Sequence, residues 1–404
     1  MIGDAISQAF ARPAFTRLFS SMEGSVEYGT LSLTLPDGSV HTVSGKNPGP
    51  DAVLELKSWG AIPRIARGGE LGVSEVYMDG LIDTPDLKSV LDWALSNTEW
   101  FAANMRSYGW SGVLSRLHHL FRRNSKSGSR RNIADHYDLG NAFYSEWLDP
   151  SMTYSSAVFE GRNSADLFAA QQEKYKRIAE TANMKPGDQV LEIGCGWGGF
   201  AEYAVKNVGV NMTCITISKE QHDYAAERFQ REGISDKIEL RLQDYRDTEP
   251  GRYDRVASIE MIEAVGEHYW DTYFGQIAKV LKPGGAAAIQ AITIPDEVFE
   301  DYLTKIDFIS RYIFPGGRLL SPGKMQECTE RAGMAYEPTG EYASSYAKTL
   351  LQWNDKFQSA WSKIKGMGFD DRFKRMWEYY LISCSVGFDF AQIGVSQIRL
   401  QKPA

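Results

Sequence analysis

A chain of 404 residues is long enough for about two domains and a sizeable core. Its composition, 43% hydrophobic and 24% charged, is that of an ordinary soluble globular protein, and a net charge of -8 argues against general nucleic-acid binding. The cysteines Cys195, Cys214, Cys328 and Cys384 are scattered without metal-type or redox-type spacing, so they read as reduced thiols of a cytosolic protein and no metal is expected. No apolar run approaches the ~18 residues of a membrane span, and Met1-Ile2-Gly3-Asp4 does not begin a signal peptide.

Residues near 5–22 place Ile6, Phe10, Phe15, Leu18 and Phe19 at helical spacings, either for packing on their own domain or for a membrane surface. Val26–Leu35 alternates as a strand, Pro36-Asp37-Gly38 turns it and Val40–Val43 returns, which predicts a hairpin. Helical patterns near 51–58 and 85–105 complete a small α+β domain over residues 1–121. Between residues 69 and 80, turn residues flank a short apolar helix. Residues 122–132 hold the run Arg122–Arg131, with five basic residues and no acid. That run reads as a flexible linker, and also as a contact for anionic lipid headgroups, worth about 1 kcal/mol per basic residue at the surface.

The second domain, residues 133–404, opens with His136-Tyr-Asp-Leu-Gly-Asn141, and Trp147–Ser156 reads as a segment lying over a site. In Asp188–Phe200 an apolar run (Val190, Leu191, Ile193) ends in Gly194, Gly196, Gly198 and Gly199, followed by a helical pattern. That is a buried strand, a tight turn and a helix start, in the order a nucleotide-type ligand needs. Glu192, with no Lys-Ser/Thr after the glycines, turns the reading from a phosphate loop to the S-adenosylmethionine (SAM) loop of Rossmann-like methyltransferases. A carboxylate there suits a sulfonium and an amino group.

Further strands are predicted at Met212–Ile217, Ile238–Leu242, Arg255–Ile259, Ala286–Ile292 and Ile393–Leu400, with helices from Lys219 and over Trp270–Leu281, 347–364 and 371–385. The fold class is therefore α/β: a doubly wound, mostly parallel seven-stranded sheet of the Rossmann-like SAM-dependent methyltransferase type, beside the smaller N-terminal α+β domain. An aromatic-rich insertion near 295–325 (Phe299, Tyr302, Phe308, Tyr312, Phe314) reads either as core packing or as the wall of an apolar substrate site.

From His136 onward the chain resembles the cyclopropane-fatty-acid synthases and the related mycolic-acid cyclopropane synthases. The resemblance lies in His136–Asn141, Leu148–Ser155, Val190–Gly199, Ile215–Gln221, Ser258-Ile-Glu-Met-Ile-Glu-Ala-Val-Gly266 and Phe308–Ser321. The first 120 residues resemble the N-terminal domain of the bacterial phospholipid-acting members, which implies intact membrane phospholipid as substrate. It also implies a cytoplasmic protein peripheral to the inner face of the membrane, and a homodimer. The SAM contacts implied by the match are Tyr154, Ser155, Glu192, Gly194, Gly196, Thr216, Gln221, Asp244 and Tyr245.

The family reaction methylates an alkene, leaving a carbocation that aromatic faces such as Trp353 and those of the insertion can stabilise and a base must deprotonate. By resemblance that base is a bicarbonate ion held by a cysteine, a glutamate, a histidine, a tyrosine and backbone groups. Glu263 matches the glutamate and Tyr346 the tyrosine, while Ser156 stands at the cysteine position and Gln290 at the histidine position. Ser156 and Gln290 can still donate to an anion but carry no charge, which leans the product from a cyclopropane towards a methyl-branched or methylene chain. His136 and Cys384 complete the catalytic candidates, Cys384 also fitting a buried structural thiol. Two other function classes are a catalytically silent lipid-binding protein and a methyltransferase for a small soluble substrate.

Overall fold

The computed structural model describes residues 12–13, 15–17, 19–104, 139–159 and 166–404. His136, the basic run Arg122–Arg131 and the start of the first helical pattern lie outside the described residues. The chain divides into two compact units. The first is Met1–His118 with Ile306–Arg311 and Trp361–Val386; the second is His119–Lys305, Tyr312–Ala360 and Gly387–Ala404. The sequence boundaries gave all of 133–404 to one domain, whereas the units draw two short segments of it into the first.

In the first unit β1 (Tyr28–Thr34), β2 (Val40–Ser44), β3 (Asn47–Leu56) and β4 (Ile82–Asp83) form a sheet in the order β2-β1-β3-β4. The β1–β2 pair is the expected hairpin. Of residues 51–58, expected as a helix, 51–56 instead form the end of β3, parallel to β1 with Leu31 opposite Ala52 and Leu33 opposite Leu54. Ala52 and Leu56 are buried at a spacing of four, which fits both periods, and pairing with β1 decides for the strand. Buried Asn97 locks the unit: its amide donates to Tyr28 O and Trp93 O and accepts from the N–H groups of Glu27 and Tyr28. The glycine-flanked segment belongs to a longer helix, Ala61–Met78, broken at Gly69, where φ is +55°.

The second unit is built on a seven-stranded sheet in the order β10-β11-β9-β8-β5-β6-β7. These strands are β5 (Gln189–Ile193), β6 (Asn211–Thr216), β7 (Ile238–Leu242), β8 (Tyr253–Ile259), β9 (Leu281–Thr293), β10 (Ala335–Glu341) and β11 (Gly394–Gln401). Strands β5 to β9 are parallel; β11 runs against its neighbours β9 and β10. The sheet is apolar on both faces, as parallel strands covered by helices must be. Leu191, Val256 and Ile289 join the core of helix Trp270–Val280, while Val190, Ala257 and Ala288 join that of helix Leu167–Thr181. The strand missing from the sequence reading is β10, an edge strand with Pro338 and a bulge near Gly340, whose mostly exposed residues lack apolar alternation.

Chain order reverses between β5 and β8: β6 and β7 build out on one side, β8 and β9 on the other. A crevice outside the carboxyl ends of these two strands is where a doubly wound sheet takes its ligand. The two segments that leave those ends begin with Gly194 and Glu260.

Candidate active site

At the end of β5 the chain turns through Gly194, Gly196 and Gly198 with φ of +80°, +52° and +84°. A Cβ on Gly194 would stand 2.7 Å from Cγ of Met261, whereas one on Gly196 would meet nothing within 4 Å. The first glycine packs the turn against the β8 exit, and the second leaves backbone open to a ligand. Past β6, Thr216 Oγ1 donates to Gln221 Oε1 at 2.9 Å, and Ser218 caps the following helix. Past β7, buried Asp244 is held by Arg246 through Nε at 2.8 Å and Nη2 at 2.6 Å. The Tyr245 hydroxyl is buried without a hydrogen-bond partner. These expected SAM residues gather at the carboxyl edge of the sheet, and they fit an adenosyl ligand: an open glycine backbone, a Thr–Gln pair and an orphan phenol.

Glu192 differs from its expectation. It is buried on β5 and accepts from Cys214 Sγ on β6 at 3.8 Å, and burial lifts its carboxyl to about 8. At neutral pH it is largely a neutral acid.

The covering segment reaches the edge through Ser151–Ser156. Ser155 accepts from two residues of helix Leu167–Thr181: Lys174 Nζ on its Oγ at 2.6 Å, and Gln171 Nε2 on its carbonyl at 3.0 Å. Lys174 is fully buried, and desolvation brings its pKa down to about 8 against the pull of Glu260, Asp149 and Glu192. Tyr154 sits among rings, 5.4 Å from both Tyr144 and Trp353, 5.6 Å from Trp147 and 6.3 Å from Phe314. The aromatic insertion divides accordingly. Phe299 packs on Trp270 in the core, Phe308 on Tyr379 within the first unit, and Phe314 reaches Tyr154.

Three of the expected catalytic positions do converge, but on Glu260 rather than Glu263. The N–H of Ser156 and Nε2 of Gln290 donate to Glu260 Oε1 at 2.8 and 2.7 Å, and the Tyr346 hydroxyl donates to Oε2 at 2.7 Å. Ser156 contributes through its backbone; its hydroxyl, expected to face an anion, donates to Ala157 O. Gln290, on β9, is oriented from behind by Gln397 of β11, which donates to its Oε1 at 2.9 Å. Burial raises the Glu260 pKa, against Tyr346, Gln290, Lys174 and the Ser156 N–H, which favour the anion. Glu263 lies one short turn further on: its Oε1 accepts from the Ile292 N–H at 2.7 Å, and its Oε2 is buried without a partner. Burial and the charge of Glu260 lift Glu263 to about 8.

Cys384 is placed in the first unit and is not part of this cluster; burial pushes its thiol up to about 12, so it is no thiolate at neutral pH. Sequence reasoning singled out neither Glu260 nor Lys174. The signal for Glu260 was available, a carboxylate directly after the apolar end of a buried strand. Lys174 carried none, because its helix is mostly polar and the contact it makes is not local.

This sheet order, glycine turn and edge define a SAM-dependent methyltransferase. The family described as mycolic acid cyclopropane synthetase matches residues 124–398, and the chain belongs to it. It is 36% identical over 345 residues to the tuberculostearic acid methyltransferase of Mycobacterium tuberculosis, covering 83% of this chain and 80% of that one. Identity to the cyclopropane-fatty-acyl-phospholipid synthase of Escherichia coli is 34%, covering 88% of each. A solved mycolic acid cyclopropane synthase in complex with SAH and CTAB superposes with a TM-score of 0.63 at 29% identity, over 68% of this chain and 98% of that one.

Proposed function

We propose that the protein methylates the double bond of an unsaturated acyl chain carried by a membrane phospholipid. The observation that carries this reading is a carboxylate set beside a wall of rings: Tyr346 bonds Glu260 and lies 6.2 Å from Trp353, which lies 5.4 Å from Tyr154. A cationic carbon needs both, π faces worth about 0.5–2 kcal/mol each when dry and a base to end its life. A polar soluble substrate can use the base but has no need of the ring wall.

SAM, when bound, supplies an electrophilic methyl group on a sulfonium. The chain's residues align the alkene with it, exclude water and receive a proton. If the proton leaves the new methyl and its C–H pair bonds the cationic carbon, a cyclopropane closes; after a hydride shift onto the cation, loss from the methyl gives a methylene chain and loss from a chain carbon a methyl-branched alkene. Among the described residues no helix is long and apolar enough to cross a membrane; in this reading the lipid is met at a surface. The basic run Arg122–Arg131 and the similarity to a phospholipid-acting relative support that route.

Bicarbonate as the base does not fit: the donors it would use, from Ser156, Gln290 and Tyr346, are turned onto Glu260. The function is tested by incubating the protein with SAM and unsaturated phospholipid vesicles and analysing the fatty acids by mass spectrometry. A gain of one CH2 is expected, and resistance to hydrogenation marks a ring; no gain on any lipid rejects the reading.

A further inference from the structure

We propose that Glu260 is the proton acceptor of the reaction, its side-chain carboxylate taking the place of a bound anion. This rests on the alkene-methylation reading above. The alkene π pair bonds the incoming methyl group and leaves one cationic carbon on the chain. Glu260 then removes a proton, either from the new methyl, whose C–H electron pair bonds the cationic carbon and closes a ring, or from a carbon next to the cation, whose C–H pair becomes a double bond. The carboxyl is left neutral until it releases the proton to water after product leaves. No oxidant or reductant is required.

Four features separate this role from that of a structural carboxylate. Glu260 has a left-handed backbone, φ +48°, which a non-glycine residue adopts at a cost. The residue stays half-buried while Ser156, Gln290 and Tyr346 around it are buried. Oε1 accepts two hydrogen bonds and Oε2 one, which leaves a lone pair on Oε2 for a proton. The neighbouring acids are also pushed apart in character. Lys174 favours the ionised form of Glu260, whereas Glu263 has no cationic partner and keeps its proton at neutral pH. Two neighbouring carboxyls whose surroundings push them in different directions are an arrangement suited to one base and one neutral acid.

The test compares wild type, Glu260→Gln and Glu260→Gly, each with SAM and dioleoylphosphatidylglycerol vesicles, in buffer purged of carbon dioxide and in buffer with added bicarbonate. Lipid product is read by mass spectrometry and SAM affinity by calorimetry. The wild-type rate should be the same in both buffers. Glu260→Gln should be about 100-fold slower or worse, with SAM affinity unchanged. Glu260→Gly, whose residue suits the positive φ, should be equally slow in purged buffer and regain at least about tenfold with bicarbonate or formate, as a small anion takes the vacated donors. The glycine variant carries the test if the glutamine variant does not fold. A wild-type rate that falls when bicarbonate is removed, or either variant running at the wild-type rate in purged buffer, overturns the role of Glu260 and leaves the methyltransferase reading standing. Absence of any CH2 gain with wild type overturns both.

Discussion

Tyr346 gives its phenolic hydrogen to Glu260 Oε2 at 2.7 Å while its ring stacks on Phe388 at 4.5 Å. The ring contact survives Tyr346→Phe and the hydrogen bond does not, so the variant should fold while weakening only the hold on the carboxylate. A hydrogen bond to a charged group is worth about 1.5–3 kcal/mol, or about 10- to 150-fold in rate if spent in the reaction. The Glu260 pKa already lies above the ordinary carboxylate value, and its ionised form is the one needed, so activity should rise with pH along an acid limb. Lys174, Gln290 and the Ser156 N–H still face it in the variant. Loss of Tyr346 alone should move that limb to higher pH; a pH–rate profile that does not move removes Tyr346 from the arrangement.

The glycine turn separates folding from ligand binding. Gly196→Ala places a Cβ in open space, so it should cost about 1–2 kcal/mol for the left-handed backbone and at least about tenfold in SAM affinity. Gly198→Ala drives a Cβ to 2.7 Å from the Phe229 ring and should cost about 1–3 kcal/mol more than that in stability. Melting curves with and without SAM check both; equal destabilisation by the two substitutions would contradict the geometry.

Glu192 and Glu263 carry pKa values of about 8 in the folded protein against an ordinary 4.5. Between these values the folded state holds protons that the unfolded chain has released, so stability falls as pH rises through the window and levels off above it. Thermal melts from pH 5 to 9 should show that decline. In Glu263→Gln it should be shallower, because the neutral amide cannot ionise. The same variant should keep at least about a tenth of the activity, since it mimics a neutral acid; loss as deep as that of Glu260→Gln would move the base to Glu263.

Lys174→Met retains the bulk of a fully buried side chain and removes the cation that favours the anionic form of Glu260. Activity on the acid limb should drop by about tenfold and recover as pH rises and Glu260 ionises without help. A pH-independent loss would mean that Lys174 serves only to place Ser155, the hydroxyl it bonds at 2.6 Å.

The amino-acid sequence by itself determined the order of strands β5 to β9 and β11 in the second unit, the glycine turn after β5 and the family. These are local patterns: an apolar run, a cap such as Ser218, a cluster of glycines needing positive φ. It also brought Ser156, Gln290 and Tyr346 into one list, because their neighbours in the chain match family runs. What they bind was decided by tertiary structure. Ser156, Glu260, Gln290 and Tyr346 come from four separate segments, and only the sheet order, with β8 between β5 and β9, sets the β8 exit facing all the others. Two carboxylates three residues apart look alike in one dimension. Lys174, Tyr346, Gln290 and the Ser156 N–H favour the anion of Glu260, whereas burial and the charge of Glu260 hold the proton on Glu263, and no local pattern encodes that difference.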